Sequence, residues 1–251
     1  MNSKKALKGF IFLVLINSFI LTYPNTTSAS GFDKSIVSPS PCATKSSLTT
    51  PKLRQWFDYK SPDRPRDRFW IAEAITGEKN GQIRYNIQIV SADGRNAPKQ
   101  FPRPSTMDSA SWMGIIVGAP GSVMSGPNGS QFRLTFPGFS GEKITTLKPN
   151  SSYSFNVIQQ IHTGSASKTG KHVWRMTFLG CGTTTSLVSG APNEPVRAYK
   201  LEATGLQPNQ DGKTFTTQKI KSIYYVSPRL GWRVAYRENQ DWLILARIRK
   251  A

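Results

Sequence analysis

From residue 69 to residue 249 the apolar side chains of this chain return at every second position in one short segment after another. No stretch of ten residues or more carries them at the spacing of an amphipathic helix. The cleanest case is 82–90, where Ile83, Tyr85, Ile87 and Ile89 alternate with Arg84, Asn86 and Gln88, placing one set on each face of a half-buried antiparallel strand. The same reading gives strands at 69–75, 131–136, 152–159, 172–178, 183–188, 196–203, 214–226, 232–238 and 242–249. Turns fall at 77–81, at Ala92-Asp93-Gly94-Arg95, at 147–151 and at 164–170. The segment 98–130 holds Pro102, Pro104, Pro120 and Pro127 among scattered glycines and reads as a long loop containing one short strand within 112–117. Those glycines spell neither Gly-x-Gly-x-x-Gly nor a Gly-Lys-Ser/Thr loop, which argues against nucleotide binding. The pattern predicts an all-β antiparallel fold, a curved sandwich or a barrel, with 242–249 as a partly exposed edge strand.

The N-terminus has a different character. Lys4, Lys5 and Lys8 precede an apolar run from residue 9 to 22, followed by a small, polar stretch. That order describes a secretory signal peptide over 1–30, cut after Ala29 or Ser30. The run is short for a bilayer span, so the expected product is a periplasmic or secreted protein without a transmembrane anchor. Residues 31–60 start with a segment rich in Ser, Thr and Pro and read as an extended arm or linker; 61–251 reads as one β-rich domain. The two cysteines, Cys42 and Cys181, form an even pair in an exported chain, and a disulfide between them would tie the arm to the domain.

Charge narrows the partners. The chain carries 33 basic and 14 acidic residues, and only basic ones leave with the signal peptide. A field of that sign favours anionic partners, which outside the cytoplasm means an acidic envelope polymer or a lipid surface rather than nucleic acid. The candidate contacts are Arg64, Arg66 and Arg68 in one cluster and Arg247, Arg249 and Lys250 in another. The competing reading is a basic surface that only keeps the protein soluble.

Catalytic signals are sparse. His-Glu-x-x-His, Gly-x-Ser-x-Gly and Asp-rich metal loops are all missing, and no cofactor or metal is implied. His162 and His172 flank a predicted hairpin tip, yet a metal site needs a third ligand. Carboxylate pairs such as Glu73 with Glu78, or Glu194 with Glu202, have nothing in the sequence to set the separation a glycosidase requires. A non-enzymatic binding or structural role is therefore expected. The alternative is a secreted hydrolase of unrecognised type, which would draw Glu73, Glu202 or Asp241 into a pocket with a histidine.

In the C-terminal third, Pro195-Val196-Arg197-Ala198-Tyr199-Lys200-Leu201-Glu202 is followed by Ile223-Tyr224-Tyr225-Val226-Ser227-Pro228-Arg229-Leu230-Gly231-Trp232-Arg233-Val234-Ala235-Tyr236-Arg237-Glu238. This resembles a group of bacterial periplasmic domains of unknown function that includes the TapB-like proteins. There a strand carrying G-x-F-x-A-x-K-I-E precedes a hairpin of the form Y-Y-V-S-P-x-L-G-x-x-V-R-Y-E. The resemblance implies an exported β-domain without a known enzymatic centre, and it carries over no catalytic residue. Physically, Pro228 ends one strand and Gly231 permits the positive φ from which Trp232 starts the next.

Overall fold

The computed structural model describes residues 32–250, apart from 34–35, 43–48, 63–68, 80–81, 92–101, 103–108, 118–122, 126–130, 165, 186–192, 210–212 and 239–240. The fold is all-β and antiparallel. Its strands are β1 (Val37–Ser40), β2 (Gln55–Lys60), β3 (Phe69–Lys79), β4 (Gln82–Ser91), β5 (Ser109–Trp112), β6 (Ile116–Val117), β7 (Val123–Ser125), β8 (Gln131–Thr135), β9 (Ser152–His162), β10 (Ser167–Thr184), β11 (Pro195–Pro208), β12 (Phe215–Ser227), β13 (Trp232–Glu238) and β14 (Asp241–Lys250). Among the described residues there is one short helix, α1 (Gly141–Thr145), capped by Ser140.

All the strands join one open sheet in the order β6-β5-β4-β3-β2-β14-β13-β12-β11-β10-β9-β8-β7, with β1 pairing along β10. The sheet curls around its core. Trp112 of β5 meets Phe139, just beyond β8, with ring centroids 6.1 Å apart. Phe139 in turn packs on Phe155 and Phe136, and Phe136 on Trp174. The inner, concave face thus buries a continuous aromatic and aliphatic core running from Tyr59, Ile75 and Tyr85 to Phe155 and Phe178.

Several expectations are corrected. Residues 55–60 are not part of an arm: β2 lies inside the sheet between β14 and β3. Phe57 and Tyr59 enter the main core while Trp56 and Asp58 are buried on the opposite face. A strand buried on both faces does not alternate in polarity, so its pattern is hidden. For the same reason β14 is no edge strand; it sits between β13 and β2. Residues 183–184 end β10, and 186–192, where the predicted strand would continue, lie outside the described residues. β3 and β10 both extend into predicted turns, and the 98–130 segment contributes β5, β6 and β7.

Two irregularities decide which way side chains point. Tyr59 pairs with Leu245 and Asp58 with Arg247, so Ala246 is left unopposed. Tyr225 pairs with Ala235 and Val226 with Arg233, leaving Val234 unopposed. Each such bulge reverses the alternation beyond it.

The N-terminal segment is fastened to the outer, convex face. Phe32 stacks on Tyr225, the Tyr225 hydroxyl accepts from Asp33 N at 2.8 Å, and Trp242 Nε1 donates to Asp33 Oδ2 at 2.8 Å. β1 then runs beside β10, and a disulfide joins Cys42 to Cys181. Thr49 reaches the β12–β13 turn, where its N–H donates to Pro228 O at 2.9 Å.

At the other end, β10 and β11 separate beyond the Arg175–Glu202 pair. Side chains bridge the opening: Trp174 Nε1 donates to Thr204 O at 2.9 Å, and the Gln159 amide exchanges two hydrogen bonds with the Leu206 backbone at 2.9 and 2.6 Å. Leu206 closes a small core with Phe132 and Ile161.

Candidate functional site

The basic residues singled out from the sequence occupy different situations. Arg64, Arg66 and Arg68 lie outside the described residues. Lys250 is exposed at the end of β14. Arg247 and Arg249 are turned onto the outer face by the bulge at Ala246; without it they would share the inward face of Leu245. There they converge on Asp58, which is fully buried. Arg247 Nε donates to Asp58 Oδ2 at 2.7 Å, while Arg249 Nε and Nη2 donate to Oδ2 and Oδ1 at 2.7 and 2.9 Å. Each guanidinium also lies over an indole, Arg247 on Trp70 at 5.2 Å and Arg249 on Trp56 at 4.8 Å. The pair is thus committed to closing a second, outer core of Trp56, Ala72, Ala74 and Val90. Asp58 escaped the sequence reading, although an aspartate within Trp-Phe-Asp-Tyr signals a buried charge that needs a cation.

The inner face holds the second charged centre. Arg233, brought to the same face as Tyr236 by the bulge at Val234, forms an ion pair with Glu73 on β3, and both are almost completely buried. Trp232 Nε1 donates to the other Glu73 oxygen at 3.0 Å. The guanidinium stacks on Tyr236 at 4.1 Å, and its Nη1 donates to Gly114 O at 2.5 Å, pinning the β5–β6 turn onto the core. Gly114 has φ +72°, and a Cβ there would stand 3.2 Å from both Arg233 Cγ and the Trp232 ring, so the close approach requires glycine. The Tyr59 hydroxyl donates to Arg233 O at 2.9 Å, and burial holds its pKa well above the usual phenol value.

The remaining carboxylates considered for catalysis are likewise engaged or isolated. Glu194 is buried, accepts from Ser227 Oγ, and receives Arg229 through Nε and Nη2, the latter at 2.9 Å. This pins the β12–β13 turn to the start of β11, and the carboxylate raises the Arg229 pKa. Glu202 pairs with Lys200 at 3.0 Å. Glu78 lies beyond the bulge at Thr76, exposed and apart from Glu73. His162 faces Ser167 near the hairpin tip while His172 faces Val157, five residues further along β10, so the two do not converge. Burial lowers the His172 pKa. Among the described residues no group of three His, Cys, Asp or Glu side chains is placed to hold a metal ion. Glu73 is held by Arg233 and Trp232 and Glu202 by Lys200, and the structure joins neither of them to a histidine.

No protein-family model matches the sequence, and no curated protein matches it. Among solved structures, the chain is similar to the hypothetical lipoprotein YmcC of Escherichia coli, at 11% identity and a TM-score of 0.40 over 79% of this chain and 85% of that one. It is also similar to a Bacteroides fragilis protein described as exported and of YmcC-like fold, at 10% identity and a TM-score of 0.40 over 81% of this chain and 99% of that one.

Proposed function

We propose that this is an exported envelope protein that works by binding an anionic polymer or lipid surface, without chemistry of its own. The supporting observation is how its charges are spent. Asp58, Glu73, Glu194 and Glu202 are each tied to arginine or lysine within the fold, so few described acids remain to offset the excess of 33 basic over 14 acidic residues. The basic-apolar-small order of residues 1–30 and the Cys42–Cys181 disulfide both suit export to an oxidising compartment. The likeness to periplasmic domains of the TapB-like group agrees with that address.

The test is retention of the mature protein on an acidic polysaccharide matrix and on anionic phospholipid vesicles at low salt. Retention that disappears as salt rises above about 0.1 M, where the screening length falls to about 10 Å, is the expected result. If neither surface retains the protein at low salt, the charge serves solubility alone and the reading falls. Mass measurement of protein recovered outside the cytoplasm should show loss of about thirty residues, with the new N-terminus next to Ala29 or Ser30.

A further inference from the structure

Basic charge is not spread evenly over this sheet. Strands β8 to β12 carry eight basic residues and a single acidic one, Glu202, whereas β2 to β4 with β13 and β14 carry eight basic and five acidic. Within β8 to β12, Glu202 is already taken by Lys200. Arg197 is held on the inner face by the Phe178 ring at 4.3 Å and by the Thr145 carbonyl at 3.0 Å. Lys168 lies over the Phe215 ring at 5.8 Å. Arg133, Lys171, Arg175, Lys219 and Lys221 remain, all of them exposed.

The register places these five on one face. Phe155, Trp174 and Met176 point into the core, so Lys171 and Arg175, at the odd positions of β10, point outward. Arg175 faces Glu202, and Glu202 faces Lys221 on the next strand, so Arg175 and Lys221 stand about 10 Å apart across two strand spacings. Lys219 follows about 7 Å along β12, and Lys171 about 13 Å along β10. Arg133 on β8 faces Gln160, which faces Thr169, two residues from Lys171. The result is a diagonal stripe of cations from β8 to β12 on the convex side of the sheet.

We infer that this stripe is the docking surface of the protein and that its partner is a flexible, linear acidic polysaccharide; the inference rests on the binding role proposed above. Shape decides between a polymer and a membrane. A convex face touches a plane over a small area, while a flexible chain follows its curvature and meets successive cations. The stripe also offers little to insert into lipid: among the described residues the exposed large apolar side chains are Leu53 and Val173, and only Val173 lies among these cations. Three of the five cations are lysines, which act as point charges without the two-pronged geometry of arginine. The surface therefore reads anionic density along a chain and is salt-labile.

The experiment follows fluorescence anisotropy of labelled polygalacturonate, which bears a carboxylate on each sugar, titrated with full-length mature protein at low salt. Four charges are removed together by Lys171→Gln, Arg175→Gln, Lys219→Gln and Lys221→Gln. An equal loss of charge elsewhere, Lys52→Gln, Lys143→Gln, Lys148→Gln and Lys250→Gln, serves as the comparison. Each exposed charge contributes modestly and four are lost together, so the stripe variant is expected to bind about tenfold or more weakly and the comparison variant within about threefold of wild type. Arginine at the three lysine positions should restore wild-type binding, and the β10 pair alone should lose about threefold, a check independent of whether the fourfold variant folds. Equal weakening by both sets overturns the stripe. Binding to vesicles of phosphatidylcholine and phosphatidylglycerol without binding to polygalacturonate overturns the polymer but leaves the anionic-surface reading intact; binding to neither overturns both.

Discussion

Glu73 and Arg233 are expected to respond to mutation in ways that differ in kind, because only one of them can discard its charge. In Glu73→Gln the amide oxygen still accepts from Trp232, but the guanidinium keeps its charge in a site where its side chain is 5% exposed. What remains to it is the Tyr236 face at 4.1 Å and the Gly114 carbonyl. Breaking a buried pair in this way costs about 3–5 kcal/mol, and because arginine does not deprotonate in proteins the loss should be nearly the same at pH 5 and pH 8. In Arg233→Met the carboxyl is stranded instead, and a buried carboxyl without a cation favours its neutral form. Protonation then recovers part of the stability, so the Arg233→Met defect should shrink as pH falls.

Urea denaturation of the oxidised protein at several pH values measures both slopes. The double variant Glu73→Leu with Arg233→Met should cost less than the worse single change, with a coupling of about 2 kcal/mol or more, since a well-packed apolar replacement of a buried ion pair is often near neutral. A Glu73→Gln loss under about 1 kcal/mol, or the same pH dependence in the two single variants, would refute the view that these charges are mutually dependent and shut off from water.

Other outcomes follow from single contacts. Gly231 has φ +62°, and a Cβ there would lie 1.7 Å from Thr49 O, so Gly231→Ala should lower the urea midpoint by the equivalent of about 2 kcal/mol or more, whereas Gly77→Ala, with open space around it, should cost under about 1 kcal/mol. Burial pushes the Tyr225 pKa up to about 12; with an unfolded value near 10 the folded state holds the extra proton, so stability is full below pH 10 and about 3 kcal/mol is lost as pH rises towards 12, a slope that Tyr225→Phe should reduce in alkaline titrations. The Cys42–Cys181 bridge spans 139 positions, and reduction should destabilise the fold by up to about 5 kcal/mol in the chain-entropy picture, measured as the difference in denaturation midpoint with and without reductant.

Most strands were legible because one face of each is solvated, which preserves period two: β4 and β9 appear in the sequence nearly as they stand in the structure. The failures are physical in origin. β2 is covered on one side by Phe57 and Tyr59 within the core and on the other by Trp56 with Arg249 above it, so nothing in its pattern alternates. β10 and β11 run longer than their patterns show because the outer end of β10, Ser167-Lys168-Thr169-Gly170-Lys171, has no apolar residue and that of β11 has only Leu206 facing a small core, and order there comes from Gln159 and Trp174 bonding to the backbone of β11. Such bonds link residues 30 and 47 positions apart, beyond what any local pattern encodes.

Charge was misread for a related reason. Arg247, Arg249 and Lys250 form a dense basic window, and density in sequence suggested a binding surface. The bulge at Ala246, which no residue preference announces, aims both arginines at Asp58, 189 and 191 positions away, and a buried aspartate claims its cations before any ligand can. The cations that form a continuous outward stripe are instead thinly spread along the chain, at 133, 171, 175, 219 and 221. They assemble only because antiparallel pairing brings β8, β10 and β12 into register through β9 and β11, which lie between them. Counting charge strand by strand exposes the asymmetry that short windows conceal, since five consecutive strands with a single acid cannot neutralise themselves whatever their register. Asp58 and Glu73 are consumed as internal pins in the β2–β3 part of the sheet, while Glu202, paired with Lys200, is the one acid set among the cations of β8 to β12. The working consequence is that the strongest anion attraction should sit on the outer face of β8 to β12.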